Sequence, residues 1–194
     1  MPPNPQRRVQ LLDAAIEILG DVGIGGLTHR AVDDRAGHPA GTTSNYFRTR
    51  MALLEATTGR VADLQWQYVG LLQEGLTQNQ GTLTRDTLAA LMTRMVTDTD
   101  PAQRRRQLAR YELFNEGVRR QELRPSLGEI QAAAMKSAAV ILQSAGLEPT
   151  EGQVGELARL LNGLAYSNLT FTDGQPGAHD AAGVIARLLK AVLG

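Results

Sequence analysis

Residues 27–56 read LTHRAVDDRAGHPAGTTSNYFRTRMALLEA. Thr28 can cap a short helix with its hydroxyl. That helix, roughly His29 to Ala36, stops at Gly37, where a positive φ is cheap. Pro39 suits the first turn of the next helix, because its missing N–H would be unpaired there anyway. This segment runs roughly from Pro39 to Phe47. Upstream, Val9, Leu12, Ile16 and Leu19 mark one face of a preceding helix, which Gly23, Gly25 and Gly26 end. Two short helices joined by a tight glycine turn and backed by a third form the helix-turn-helix arrangement. Its second helix fits the major groove of DNA. The turn alone is a weak signal, because many helical proteins contain helix–glycine–helix corners.

Helical periodicity continues to the end of the chain. Leu54, Val61, Leu64, Tyr68 and Leu72 share a face of a helix from about Arg50 to Leu76. Leu88, Leu91, Met92 and Met95 mark the next, and residues 98–101 break it. Leu108, Tyr111, Phe114 and Val118 mark another, interrupted at Pro125; the pattern resumes from Leu127 to Ala145. After a turn at 146–149, Val154 to Phe171 is helical, 173–177 is a loop, and Ala181 to Leu193 is the last helix. No stretch alternates as a strand would. The expected fold is all-α with about nine helices.

At 194 residues the chain can bury a sizeable core. Its 42% apolar and 21% charged composition is too apolar for disorder. Twenty basic residues balance twenty acidic ones, which argues weakly against a nucleic-acid partner. Eighteen of the basic residues are arginine. The balance is local as well as global: residues 1–60 hold seven Arg and six acids, but Pro39 to Leu54 holds Arg48 and Arg50 and no acid. The absence of cysteine excludes a disulfide scaffold, a thiolate zinc site and a Cys nucleophile. No apolar run approaches the ~18 residues of a membrane helix, and MPPNPQRRVQ lacks a signal peptide's apolar stretch; a cytoplasmic protein without membrane contact is expected. Three scattered histidines, no HxxxH spacing and no Gly-rich phosphate loop speak against an enzyme, a metal site or a cofactor. The Asp33-Asp34 pair reads as a solvated helix end.

The N-terminal third resembles the TetR-type (TetR/AcrR-like) transcriptional regulators. The resemblance rests on the capping Thr28, Ala36-Gly37 at the turn, Gly41-Thr42, Tyr46-Phe47, the basic Arg50, and Ala52-Leu53-Leu54 opening the long fourth helix; it covers roughly residues 5–60. Family members often carry Val at His38, a larger apolar residue at Thr43 and Tyr at Ser44. These departures alter the face that would meet bases. The resemblance implies a helix-turn-helix DNA-binding domain over residues 1–50 and an effector-binding and dimerisation domain over 51–194. It implies DNA contacts from Thr28, His29, Pro39, Ala40, Thr42, Thr43, Ser44, Asn45, Tyr46, Arg48 and Arg50. Thr28 and the first N–H groups of its helix suit a phosphate, as do Tyr46 and Arg50. Asn45 can pair with adenine, and the Ala and Thr methyls can touch thymine. Thr28 as a simple cap, Tyr46 as a core aromatic, and Arg48 and Arg50 as solvated surface are the bland readings of the same residues. Arg7 and Arg8 fit a DNA-contacting arm or a frayed terminus equally.

In the C-terminal part, residues 157–172 carry one charge, Arg159. A helix apolar on all sides is buried on all sides. With the final helix it reads as a two-fold interface, through Leu157, Leu161, Leu164, Asn168, Ile185, Leu188 and Val192. The alternative is a central helix buried within one subunit. The resemblance implies the dimer, which would read a palindromic double-stranded operator. Polar groups among aromatics and methionines describe a small-molecule pocket or an ordinary core. The resemblance favours a pocket made from Trp66, Met92, Met95, Tyr111, Phe114, Asn115, Met135, Asn162 and Tyr166, taking a mostly apolar, neutral effector. The expected function is a repressor released from its operator by that effector. The competing expectation is a helical ligand-binding or adaptor protein that does not bind DNA.

Overall fold

The computed structural model describes residues 4–78, 84–97, 100–171 and 180–193. Among them are nine α-helices and no strand. The helices are α1 (Pro5–Val22), α2 (His29–Ala36), α3 (Thr42–Tyr46), α4 (Arg50–Gln78), α5 (Arg85–Thr97), α6 (Pro101–Arg119), α7 (Arg124–Ser144), α8 (Glu151–Thr170) and α9 (Ala181–Leu193). Short 3-10 turns at Ile24–Gly26 and Gln121–Leu123 precede α2 and α7. The loop expected at 173–177 lies outside the described residues, as do positions 98 and 99 of the expected break.

Side-chain chemistry explains the helix starts. Asn4 caps α1 by accepting from the Gln6 and Arg7 N–H groups at 2.9 and 3.3 Å. Thr28 caps α2 through the Ala31 N–H at 3.1 Å, and Asp100 caps α6 through Gln103. Thr150 and Gln153 form a reciprocal capping box at the start of α8. Pro125 was expected to break a helix. It stands in the first turn of α7 instead, where proline costs no hydrogen bond.

The described residues pack as two units. The first, within Met1–Trp66 and Asp100–Gln131, encloses a core of Leu11, Leu12, Leu19, Leu27, Leu53, Leu54, Leu113 and Leu123, among others. In it α1 packs chiefly on α6. The approach is close: a Cβ on Gly20 would stand 2.3 Å from the Arg105 carbonyl oxygen. The buried face of α6 is accordingly Ala109, Leu113 and Gly117. The expected face, Leu108, Tyr111, Phe114 and Val118, is displaced from it, and Val118 is 77% exposed. Ala109 and Gly117 flank Leu113 on the buried face, and such small residues do not stand out in an apolar pattern.

The second unit, within Gln67–Thr99 and Ala132–Gly194, has its own core of Leu88, Met92, Ile141, Leu142, Leu157 and Ile185, with others. Leu157 and Ile185 are 0% exposed within the single chain, and Leu164 and Val192 are also buried. This corrects the assignment of Leu157 and Ile185 to a dimer interface: a side chain already sealed by its own subunit has no surface left for a second one. Leu161 and Leu188 are half-buried against the same core. The half-buried Asn168 donates its Nδ2 to the Val96 carbonyl at 3.3 Å. What α8 leaves open is a different strip, with Leu160, Gly163 and Tyr166 exposed along it.

Candidate nucleic-acid interface

The helix-turn-helix lies wholly in the first unit. Gly37 closes α2 at φ 67°, ψ 31°, a left-handed conformation that favours glycine. The chain then turns through Pro39 and Ala40 to Gly41, also left-handed at φ 90°. Helix α3 begins at Thr42, not at Pro39 as the proline suggested. The cause is Asp33. Its carboxylate, 1% exposed, accepts from the Gly41 N–H at 2.8 Å, the Thr43 N–H at 2.7 Å and the Thr43 hydroxyl at 2.5 Å. Those bonds fix where the α3 backbone starts. The solvated helix-end reading of Asp33 is thereby overturned; it fits Asp34 alone, which is exposed and 3.9 Å from Arg30.

Thr43 is 0% exposed, and this corrects its placement among base-contacting residues. It faces inward, towards α2. Pro39, Ala40, Asn45 and Arg48 are exposed. Thr42 and Ser44 are half-buried and spend their hydroxyl protons on the carbonyls of Pro39 and Gly41, at 2.6 and 2.9 Å.

The residues around α3 are held by local bonds. The Tyr46 hydroxyl accepts from the Asn4 N–H at 3.0 Å and donates to the Asn4 carbonyl at 3.4 Å, tying α3 to the start of α1. Arg8 lies over the Phe47 ring, 5.5 Å from its centroid. His29 Nε2 is 2.6 Å from the Phe47 carbonyl oxygen. Arg50 donates to the carbonyls of Ile24 at 2.6 Å and Leu27 at 3.2 Å, which orients its exposed guanidinium against the 3-10 turn. Glu112 of α6 accepts from the Ile24 N–H at 2.8 Å. Asp21 takes Arg35 of α2 at 2.8 Å and Arg105 of α6 at 2.7 Å. The Arg35 hydrogen bond holds the Asp21 carboxyl below its ordinary range, against a smaller opposing effect of desolvation and with further help from Arg105. Arg35 is raised in turn, by Asp21 first and Glu17 second.

The expected effector-pocket residues do not come together in one unit. Trp66, Tyr111, Phe114 and Asn115 belong to the first unit; Met92, Met95, Met135, Asn162 and Tyr166 belong to the second. Asn115, Trp66 and Tyr166 are exposed, and Trp66 donates to Glu129 at 3.3 Å. Met92 is sealed in the second core, with Met95 and Met135 packed on it. Two surface clefts of the second unit, one lined by Gln143 and residues 146–149, the other by Asp86, Ala89, Ala90, Thr93, Arg94, Thr97 and Ala182, contain none of the nine.

Residues 83–193 match the sequence family described as Tetracyclin repressor-like, C-terminal domain. The chain belongs to the TetR family of transcriptional regulators. A stretch of 54 residues is 47% identical to the HTH-type transcriptional regulator BetI of Cronobacter sakazakii, covering 28% of this chain and 27% of that protein. The chain is also 45% identical over 51 residues to BetI of Escherichia coli K12, covering 26% of each. The match thus spans about a quarter of these relatives. Whole-chain likeness comes from solved structures. The multidrug binding protein EbrR, complexed with imidazole, aligns over 98% of this TetR-family chain and 97% of its own, with a TM-score of 0.68 and 25% identity. A TetR-family member from Streptomyces coelicolor A3 aligns over 95% and 98%, with a TM-score of 0.66 and 26% identity. No described helix is long and apolar enough to cross a membrane.

Proposed function

We propose that this protein is a sequence-specific, DNA-binding repressor that leaves a palindromic operator when a small, mostly apolar effector binds. The observation that carries the reading is the exposed Asn45 on a short helix anchored from behind, with the exposed Pro39 and Ala40 in the turn before it and Arg48 just after it. A rigid helix presenting small groups and one amide can enter the major groove and read base edges. Residues 1–50 carry this reading function, and 51–194 the effector and dimer functions. Arg48, the α2 N-terminus at Thr28 and the outer side of Arg50 supply phosphate contacts.

The effector acts by differential affinity for two states of the protein. In this reading it shifts α4, which carries Arg50 at its start, and so changes the separation of the two recognition helices in a dimer. The aromatic candidates Trp66, Tyr111 and Phe114 of the first unit suit a flat ring system. EbrR, similar in fold, is also known complexed with ethidium and malachite green, which supports that class of ligand. The dimer seam is assigned to the open strip of α8 at Leu160, Gly163 and Tyr166; Gly163 has nothing within 4 Å of an added Cβ, so a second helix can approach there.

Selection of bound sequences from random DNA tests the reading. A palindromic consensus is expected, with half-sites ~34–36 Å apart or a multiple of that spacing. Absence of any enriched sequence would overturn it in favour of a helical adaptor. Release of the selected DNA by planar aromatic compounds tests induction; retention in the presence of every compound that binds the protein would remove that part.

A further inference from the structure

Resting on the DNA-binding reading above, we infer that Asp33 is a positioning residue that sets base specificity through Thr43, by fixing the orientation of α3 with a buried carboxylate. α3 is five residues long and its N-cap, Gly41, offers no side-chain bond of its own. A helix of that length makes too few internal hydrogen bonds to hold its own orientation. Its placement therefore depends on what grips its first turn. Here the grip is polar: both carboxylate oxygens of Asp33 are used, one by the Gly41 N–H and the other by the Thr43 N–H and hydroxyl.

An apolar anchor is held by contact area, which is non-directional. Three charge-assisted hydrogen bonds to one sealed carboxylate are directional and short. They fix both the rotation of α3 about its axis and its advance from the turn, and so the angle at which Asn45, two residues on from Thr43, leaves the surface. Phosphate contacts at Arg48 and Thr28 do not depend on that angle. Asp33 accordingly governs which sequence is bound more than how strongly any DNA is bound. Its carboxylate is buried and touches no base, so it acts only through α3.

The experiment compares the intact protein with Asp33→Asn and Thr43→Val, after a consensus has been selected with the intact protein. Asparagine keeps the shape but turns an N–H₂ group on the Gly41 or Thr43 N–H, setting donor against donor. Valine keeps the size of Thr43 and removes one bond. Binding to the consensus is expected to fall about tenfold for Asp33→Asn, the order expected for a lost charge-assisted bond. It should fall less, in the same direction, for Thr43→Val. Binding to unrelated DNA of equal length should stay within about twofold, since phosphate contacts set it. Circular dichroism checks folding; if Asp33→Asn does not fold, Thr43→Val decides by the same ratio. Equal losses on both DNAs, or none on either, would overturn the inference while leaving the DNA-binding reading intact. If the intact protein selects no consensus, that reading fails and the inference with it.

Discussion

Asp21 is where three helices of the first unit are joined. It lies on α1 and receives Arg35 from α2 and Arg105 from α6. Its carboxyl is lowered in the folded state, mainly by the Arg35 hydrogen bond. A group lowered on folding contributes stability that is fully present above its unfolded value and lost as pH falls through the folded value. Asp21→Asn should therefore lower the urea midpoint at neutral pH and narrow its difference from the intact protein in acid. A midpoint difference that is the same at pH 7 and pH 3 would contradict this assignment. Arg35 titrates far above this window and adds no pH dependence to it. One residue earlier, Gly20 leaves no room for a methyl, because the obstacle is the Arg105 backbone and not a flexible side-chain end. Gly20→Ala should destabilise the fold by about 1–3 kcal/mol through forced separation of α1 and α6, although alanine is the better helix former. A denaturation midpoint at or above that of the intact protein would show that the two helices have slack.

Among the elements, α2 and α9 stand where the sequence places them, α2 because a cap and a glycine stop bracket it and α9 because it carries an apolar stripe. Helix α3 does not. Pro39 carries a valid start signal, but Asp33 carries a stronger one from ten residues before Thr43, and no local pattern reveals that its side chain turns inward. Sequence spacing likewise separated the exposed Asn45 and Arg48 from the apolar core but could not tell Thr43 from its neighbours Thr42 and Ser44. Burial of a threonine depends on its partner, here Asp33, and not on its own polarity. In α6 the periodic signal identified the helix correctly and its docking face poorly, since Ala109 and Gly117 weigh little in any apolar count. For the reading head this gives a direct test. Asn45→Ala should cost ~1–3 kcal/mol on the selected sequence and relax preference at one base position. Arg48→Ala should weaken all DNA alike and reduce the salt slope by about one. Interchange of the two patterns would mean that α3 enters the groove by another face.

For the whole molecule, the dimer seam proposed on the open strip of α8 separates assembly from folding, which rests on the sealed core beneath it. Tyr166 is 55% exposed, so Tyr166→Arg should leave the helix content unchanged and shift sedimentation towards the monomer. Leu157→Ala should do the reverse, costing about 2–5 kcal/mol of stability without a specific effect on association. A net charge of zero belongs to this scale too. With few basic residues near α3, each subunit releases few counterions, and the affinity for DNA should fall only gently with salt. Discrimination by the proposed dimer then comes from the geometry of its two heads more than from a broad basic surface.

The bond between Tyr46 and Asn4 has a practical consequence. The fourth residue of the chain is stitched to the helix proposed to read DNA, by both its N–H and its carbonyl. An affinity tag or fusion partner joined ahead of Asn4 therefore pulls on that helix directly, while one joined beyond α9 follows a helix of the second unit. Binding constants measured with tags at the two ends should differ, and the untagged value should agree with the C-terminally tagged one.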